Sequence, residues 1–225
     1  MAEKTLGILE LENEPVKHPG FLAGPGTFRF PVKRVKVLGA TARKVTEGDK
    51  SVKHEYIKCA RQLESEGVSA IIANCGFAGV FQAEVSAAVS IPVALSSLLF
   101  VPFVAQTVPL GRKVGILTYD ASKLTEDHFE AAGWSSTDID ISVAGIEGSD
   151  SWRRLLEPVP DIEPTELIKD VMNTVKALLK AEPSIAAFVF ECTGFPIASE
   201  AVRRETGLRV ADCVGLAKML IEMSS

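Results

Sequence analysis

Histidine is scarce in this chain, and cysteine is too sparse for a stapled or metal-bound scaffold: three His and four Cys among 225 residues. His18, His54 and His128 share no ligand spacing, and Cys59, Cys75, Cys192 and Cys213 form no C-x-x-C pair. That excludes the usual zinc patterns and a disulfide framework, which a chain of this length does not need in order to bury a core. Long apolar runs are also missing. The longest, Ala94 to Ala105, contains two serines and Pro102 and is too short to span a bilayer. Positive charge is not in excess: the net charge is -5, which gives no footing for a nucleic-acid or anionic-membrane surface. The start of the chain carries no secretory pattern, so the cytosol is the expected compartment. Neither a P-loop nor a G-x-G-x-x-G following the first strand is present, so nucleotide cofactors have no motif.

What is there reads as a folded α/β protein, with 47% apolar and 24% charged residues. Strand-like segments at 6–10, 34–39, 68–73 and 91–95 alternate with helical periodicity over 48–67, 77–89 and 97–108. The pattern then restarts. Gly115-Ile116-Leu117 repeats Gly7-Ile8-Leu9, and strands at 113–118, 139–144, 187–190 and 208–211 alternate with helices at 124–132, 163–180, 197–205 and 214–223. Continuous apolar strands such as Val68 to Ala73 suit a parallel sheet covered on both faces. The expected architecture is therefore two pseudosymmetric lobes, each a parallel sheet flanked by helices, with the active site in the cleft between them. The lobes are placed at 1–105 and 106–211, with a terminal helix at 212–225 packing back on the first.

The two halves also match at a cysteine. Ile71-Ile72-Ala73-Asn74-Cys75-Gly76-Phe77 and Phe188-Val189-Phe190-Glu191-Cys192-Thr193-Gly194-Phe195 each run from a buried strand into Cys, small residues and Phe. Ligands of open parallel sheets bind beyond the carboxyl ends of the strands, where both thiols would sit. A thiol on each side of a small molecule supplies an acid and a base for moving a hydrogen at a carbon next to a carboxylate. Cys59 and Cys213, lacking such a match, read as core residues.

These motifs are similar to those of the aspartate/glutamate racemase superfamily over nearly the full chain. The match rests on Ala73-Asn74-Cys75-Gly76, Glu191-Cys192-Thr193-Gly194 and Gly115-Ile116-Leu117-Thr118. The resemblance implies a racemase or epimerase of an amino acid or related small carboxylate that needs neither metal nor pyridoxal cofactor. It implies Cys75 and Cys192 as the base and acid, and a homodimer. Superfamily relatives include hydantoin racemases, maleate isomerases and arylmalonate decarboxylases. A Cys-dependent isomerase or decarboxylase of a small dicarboxylate is therefore the alternative, and a non-catalytic carboxylate-binding protein a further one. Amino-acid racemases of this family usually follow the first Cys with Asn-Thr, and glutamate racemases follow the second with Thr-His, where this chain has Gly76-Phe77 and Thr193-Gly194.

Around the thiols the substrate-binding candidates are Asn74, Gly76, Phe77, Thr193 and Gly194. Thr118 and Tyr119 at the end of their strand, Glu10 for a substrate ammonium and Arg43 as a carboxylate clamp complete the set. Strand alternation places Asn74 and Glu191 away from the thiols, as polar support. Phe77 and Phe195 are expected to line the cleft.

Overall fold

The computed structural model describes residues 3–224. Eight strands form two four-stranded parallel sheets. The first contains β1 (Leu6–Glu10), β2 (Val32–Lys36), β3 (Ala70–Ala73) and β4 (Val93–Ala94), in the order β2-β1-β3-β4. The second contains β5 (Lys113–Thr118), β6 (Ile141–Gly145), β7 (Ile185–Phe190) and β8 (Arg209–Ala211), in the order β6-β5-β7-β8. The two orders are the same permutation, and the repeated Gly-Ile-Leu lies on the equivalent strands β1 and β5. All pairings are parallel, and Leu9 aligns with Ala73 as Leu117 aligns with Phe190. Apolar β3 and β7 are buried on both faces because helices cover both sides of each sheet.

The helices are α1 (Ala42–Thr46), α2 (Lys53–Ser65), α3 (Gln82–Ser86), α4 (Val101–Thr107), α5 (Glu126–Ala131), α6 (Asp150–Leu155), α7 (Pro164–Ala181), α8 (Pro196–Thr206) and α9 (Cys213–Met223). α9 lays Leu216, Ala217, Leu220 and Ile221 against Leu6, Ile8, Ala70 and Ile72 of the first sheet. The largest core cluster runs from Leu9, Tyr56 and Phe81 across to Val114, Ile116 and Val189, so the two sheets share one apolar interior. Trp134 Nε1 donates to the Leu98 carbonyl (3.1 Å), and Ser97 Oγ donates to the Phe190 carbonyl, both crossing between the halves.

Several boundaries differ from the sequence expectation. β2 begins two residues earlier and ends at Lys36, because it is an edge strand with mostly solvated side chains and its pattern carries little signal. The expected helix over 77–89 is a 3-10 stretch, Gly76–Phe81, followed by the short α3. Within it, Gly79 packs closely, and a Cβ there would come within 2.8 Å of Ser96 Cβ. Among the described residues, no helix is long and apolar enough to cross a membrane.

Candidate active site

Cys75 follows β3 in extended conformation (φ -158°, ψ 118°), and the chain then tightens so that the Ala78 N–H donates to the Cys75 carbonyl (3.1 Å). Cys192 lies two residues past the end of β7, and the Phe195 N–H donates to the Cys192 carbonyl (3.1 Å) before α8 begins. The two turns do the same thing. Each brings two main-chain amides to a thiol: Phe77 and Ala78 at Cys75, Gly194 and Phe195 at Cys192. Both cysteines are free and partly buried, and both line one cavity of about 100 Å³. That is space for several water-sized groups, or one small organic molecule.

The cavity draws walls from both halves. The loop after β1 gives Leu11, Asn13, Glu14 and Val16, α1 gives Ala42 and Thr46, and Leu155, Leu156 and Pro160 close the opposite side. Asn13 straps these walls together. Its Oδ1 accepts from the Ala42 N–H (2.7 Å) and its Nδ2 donates to the Glu157 carbonyl (2.9 Å). Glu14 Oε1 pairs with Lys36, which holds its carboxyl below the usual range. Phe21, Phe77 and Tyr119 present aromatic rings. Among the described residues, no Lys, Arg or His lines this cavity.

The residue between β7 and Cys192 is central to the site. Glu191 is fully buried, and its Oε2 accepts from Thr118 Oγ1 (2.7 Å). Its Oε1 has no hydrogen-bond partner and lies against Gly76, where even a methyl group would collide with it. Burial lifts the Glu191 carboxyl to about 7, opposed by the Thr118 hydroxyl. Burial also pushes Cys75 up to about 12 and Cys192 higher still, and the Glu191 carboxylate adds to the rise at both. Three acidic groups in one desolvated site cannot all ionise, so the thiols hold their protons while the site is empty.

The structure gathers Asn74, Cys75, Gly76, Phe77, Tyr119, Cys192, Thr193 and Gly194 around the cavity. It turns the remaining candidates to other tasks. Thr118, expected at a substrate carboxylate, is fully buried and spends its hydroxyl on Glu191. Glu10, expected at a substrate ammonium, is buried in an ion pair with Arg34 (2.8 Å) on the neighbouring strand. Arg43 is exposed on α1 and faces an adjoining groove with Asp120, Lys123 and Arg153 rather than the thiols. Thr193 donates its hydroxyl to the Asn74 carbonyl (3.1 Å), tying the two cysteine turns to each other. Phe195, expected to line the cleft, packs edge-on against Phe190 inside the second core, whereas its counterpart Phe77 does reach the cavity.

Asn74 reaches the cavity, against the alternation argument, whereas Glu191 is fully buried as polar support, bonded to Thr118. Asn74 lies just past its strand, where the pleat no longer dictates direction. Glu14 was missed because it lies in an irregular loop with no motif.

With this geometry, the chain has the fold of the aspartate/glutamate racemase superfamily. Arylmalonate decarboxylase in a sulfate-associated mutant form superposes with a TM-score of 0.62 at 17% identity, covering 98% of this chain and 94% of that one. Allantoin racemase from Klebsiella pneumoniae gives 0.62 at 13% identity, over 97% of this chain and 86% of that one. An aspartate racemase homologue from Pyrococcus horikoshii OT3 gives 0.60 at 16%, over 98% of each. Among curated proteins the sequence is similar to dimethylsulfoniopropionate lyase of Durusdinium sp. clade D, 29% identical over 223 residues, 96% of this chain and 74% of that protein. It is also similar to dimethylsulfoniopropionate lyase 3 of Emiliania huxleyi, 27% identical over 219 residues. That match takes in 93% of this chain but only 57% of the longer relative. No family model matches the chain.

Proposed function

We propose that this protein is a cysteine-dependent lyase that eliminates dimethyl sulfide from dimethylsulfoniopropionate or a closely related onium carboxylate. The observation that carries the reading is the cavity lining. Among the described residues it is mostly apolar, includes the acidic residues Glu14 and Glu191, and has no cationic side chain. A dicarboxylate would bring two negative charges to a site that already holds acidic groups and has no cation to pair with them. An onium carboxylate brings its own cation, and its methyl groups suit walls such as Leu11, Val16, Phe21 and Leu155. The names of the sequence relatives support the same substrate.

In this reading a thiolate takes a proton from the carbon next to the carboxylate. The C–H electron pair becomes the C=C bond, the C–S bond breaks, and its electrons leave with neutral dimethyl sulfide. Acrylate remains, and the enzyme thiol returns the proton to solvent. The leaving group departs uncharged, so it needs no acid. One thiol is the base, while amides at the cysteine turns stabilise the developing enolate. This departs from the racemase expected from the sequence, whose two-base exchange needs both thiols for every turnover. The matched thiols themselves favour racemisation as the second reading.

One experiment separates the two. The purified protein is incubated in D2O with dimethylsulfoniopropionate, and separately with amino acids, allantoin and arylmalonates. Dimethyl sulfide is measured in the headspace, and deuterium is measured at the α-carbon. Release of dimethyl sulfide with equimolar acrylate is expected. Of Cys75→Ser and Cys192→Ser, one should lose about 10²–10⁴-fold, the general-base contribution, and the other distinctly less. No dimethyl sulfide, together with α-deuteration of either enantiomer of a chiral substrate that both Ser variants abolish, would overturn the lyase in favour of a racemase.

A further inference from the structure

We propose that Glu191 is the cation-recognition residue of this site, its buried carboxylate, unpaired at Oε1, attracting the positively charged onium group of the substrate from behind the cavity wall. The inference rests on the lyase reading for the substrate class, but its test does not need turnover.

Three independent features point to a ligand at Oε1. The side chain is fully buried, yet this oxygen has no partner among the described residues. A buried acceptor left unpaired is costly and calls for a donor or a countercharge. Glu191 is among the residues around the cavity that holds both thiols, so a cation drawn to its side of the cavity sits next to the carbon they would deprotonate. The surrounding structure also holds the carboxylate there. Thr118 fixes Oε2 from β5, and Gly76 leaves the space that Oε1 occupies.

No protein group competes for the role. The titratable groups facing Glu191 are Cys75 after β3, Cys192 on its own turn and Cys213 at the start of α9, each of which it holds more firmly protonated. Tyr119 at the end of β5 commits its hydroxyl to the Trp152 carbonyl (2.8 Å), and Glu14 across the cavity is paired with Lys36 and Lys17. None of these is a cation directed at Oε1.

The arrangement also links binding to base formation. A bound onium offsets the Glu191 charge and so weakens one of the causes that keep both thiols protonated. The base is then formed where a cationic substrate is present. Once the C–S bond breaks, the positive charge is gone and so is the attraction, which favours release of the neutral thioether.

The test uses two non-cleavable ligands that differ only in charge: 3-(trimethylammonio)propionate and its neutral-headed isostere 4,4-dimethylpentanoate. Calorimetry on the wild-type protein should show the onium binding about 30-fold more tightly or better, the scale of removing one partner of a buried charge pair. Its affinity should rise with pH through about 7 as Glu191 ionises, while that of the isostere does not. Glu191→Gln keeps the shape and the Thr118 contact, and should bring the two affinities within about threefold with no pH dependence, a residual on the scale of one neutral hydrogen bond. An onium preference that survives in Glu191→Gln, a wild-type preference that is flat with pH, or no wild-type binding of the onium at millimolar concentration overturns the proposal. An intact, Glu191-dependent preference without dimethyl sulfide release overturns the lyase alone. Release with a Glu191-independent preference overturns this inference alone.

Discussion

Gly76→Ala tests the closest contact between the halves at the site. Gly76 opens the turn after Cys75, and a methyl group there would come closer than 3.0 Å to three atoms of Glu191: Oε1, Cδ and the main-chain carbonyl oxygen. The Gly76 backbone is not in the left-handed region, so the glycine is required for space and not for conformational freedom. A side-chain oxygen can swing aside, but a carbonyl at the end of β7 cannot move without disturbing Cys192 beside it. Overpacking of this kind costs about 1–3 kcal/mol. At about 2–4 °C per kcal/mol for a chain of this size, Tm should fall by about 2–12 °C. Activity should fall further than stability, because displacing Cys75 or Cys192 by about 1 Å is enough for a loss of about 10²-fold. The assay is thermal unfolding alongside headspace dimethyl sulfide release. Adding Glu191→Ala to Gly76→Ala removes two of the three clashing atoms and should restore only part of the Tm, because the carbonyl remains. Full recovery in the double variant, or an unchanged Tm in Gly76→Ala, would refute the close approach as described.

Two further outcomes follow from the buried carboxylate. Burial raises Glu191 from an ordinary 4.5 to about 7 in the folded chain, so its contribution to stability is fully present below pH 4.5 and is lost as pH rises through about 7. Relative to Glu191→Gln, the wild type should therefore lose about 3 kcal/mol between pH 4.5 and 8, measured by denaturant unfolding of both proteins across that range. An equal pH dependence in the two would show that the carboxylate is not desolvated. Thr118→Val removes the hydroxyl that lowers the Glu191 carboxyl, so the pH at which onium affinity rises should move up by about 1–2 units, the scale of one hydrogen bond to a charged group. Calorimetric titration over pH checks it, and an unmoved midpoint would mean that Thr118 does not set the ionisation.

The parts of the fold that could be read from sequence are those where burial is two-sided. Ala70–Ala73 and Ile185–Phe190 are apolar throughout because both faces are covered, and that pattern has no other ready explanation. The repeated Gly-Ile-Leu marks the two strands that hold the same place in each sheet. Where one side meets water, the pattern weakens. Val32–Lys36 is mostly solvated, and its limits were misjudged by two or three residues. α6 was not anticipated at all: its six residues are too few for a periodic signal, and only the Ser149 cap, accepting from the Trp152 N–H, marks its start. At the site, both thiols were legible from their matched positions. The partners of Thr118 and Glu10 were not, because each is satisfied by a side chain on or just past another strand that only the sheet order brings alongside. Glu191 was legible as buried polar support, but its partner Thr118 was not, because only the sheet order brings β5 alongside β7.

Racemisation and elimination both begin with proton removal by a thiol; they differ in what happens to the resulting electron pair. A racemase must return a proton on the opposite face, which ties its rate to two sulfurs of matched acidity. An elimination sends the pair into a new double bond and discards a group, so the second sulfur is released from proton transfer and the demand moves to holding the departing group. If this chain is a lyase, as proposed, the demand falls on a mostly apolar cavity with no cation among the described residues lining it. Where the resemblance implies a polar residue after the first cysteine, this chain has Gly76, and the absence of a side chain there leaves the space that a buried Glu191 fills. Restoring that side chain by Gly76→Asn would therefore displace the glutamate before it could assist any acidic amino acid, so a change of reaction requires positions 76 and 191 to change together.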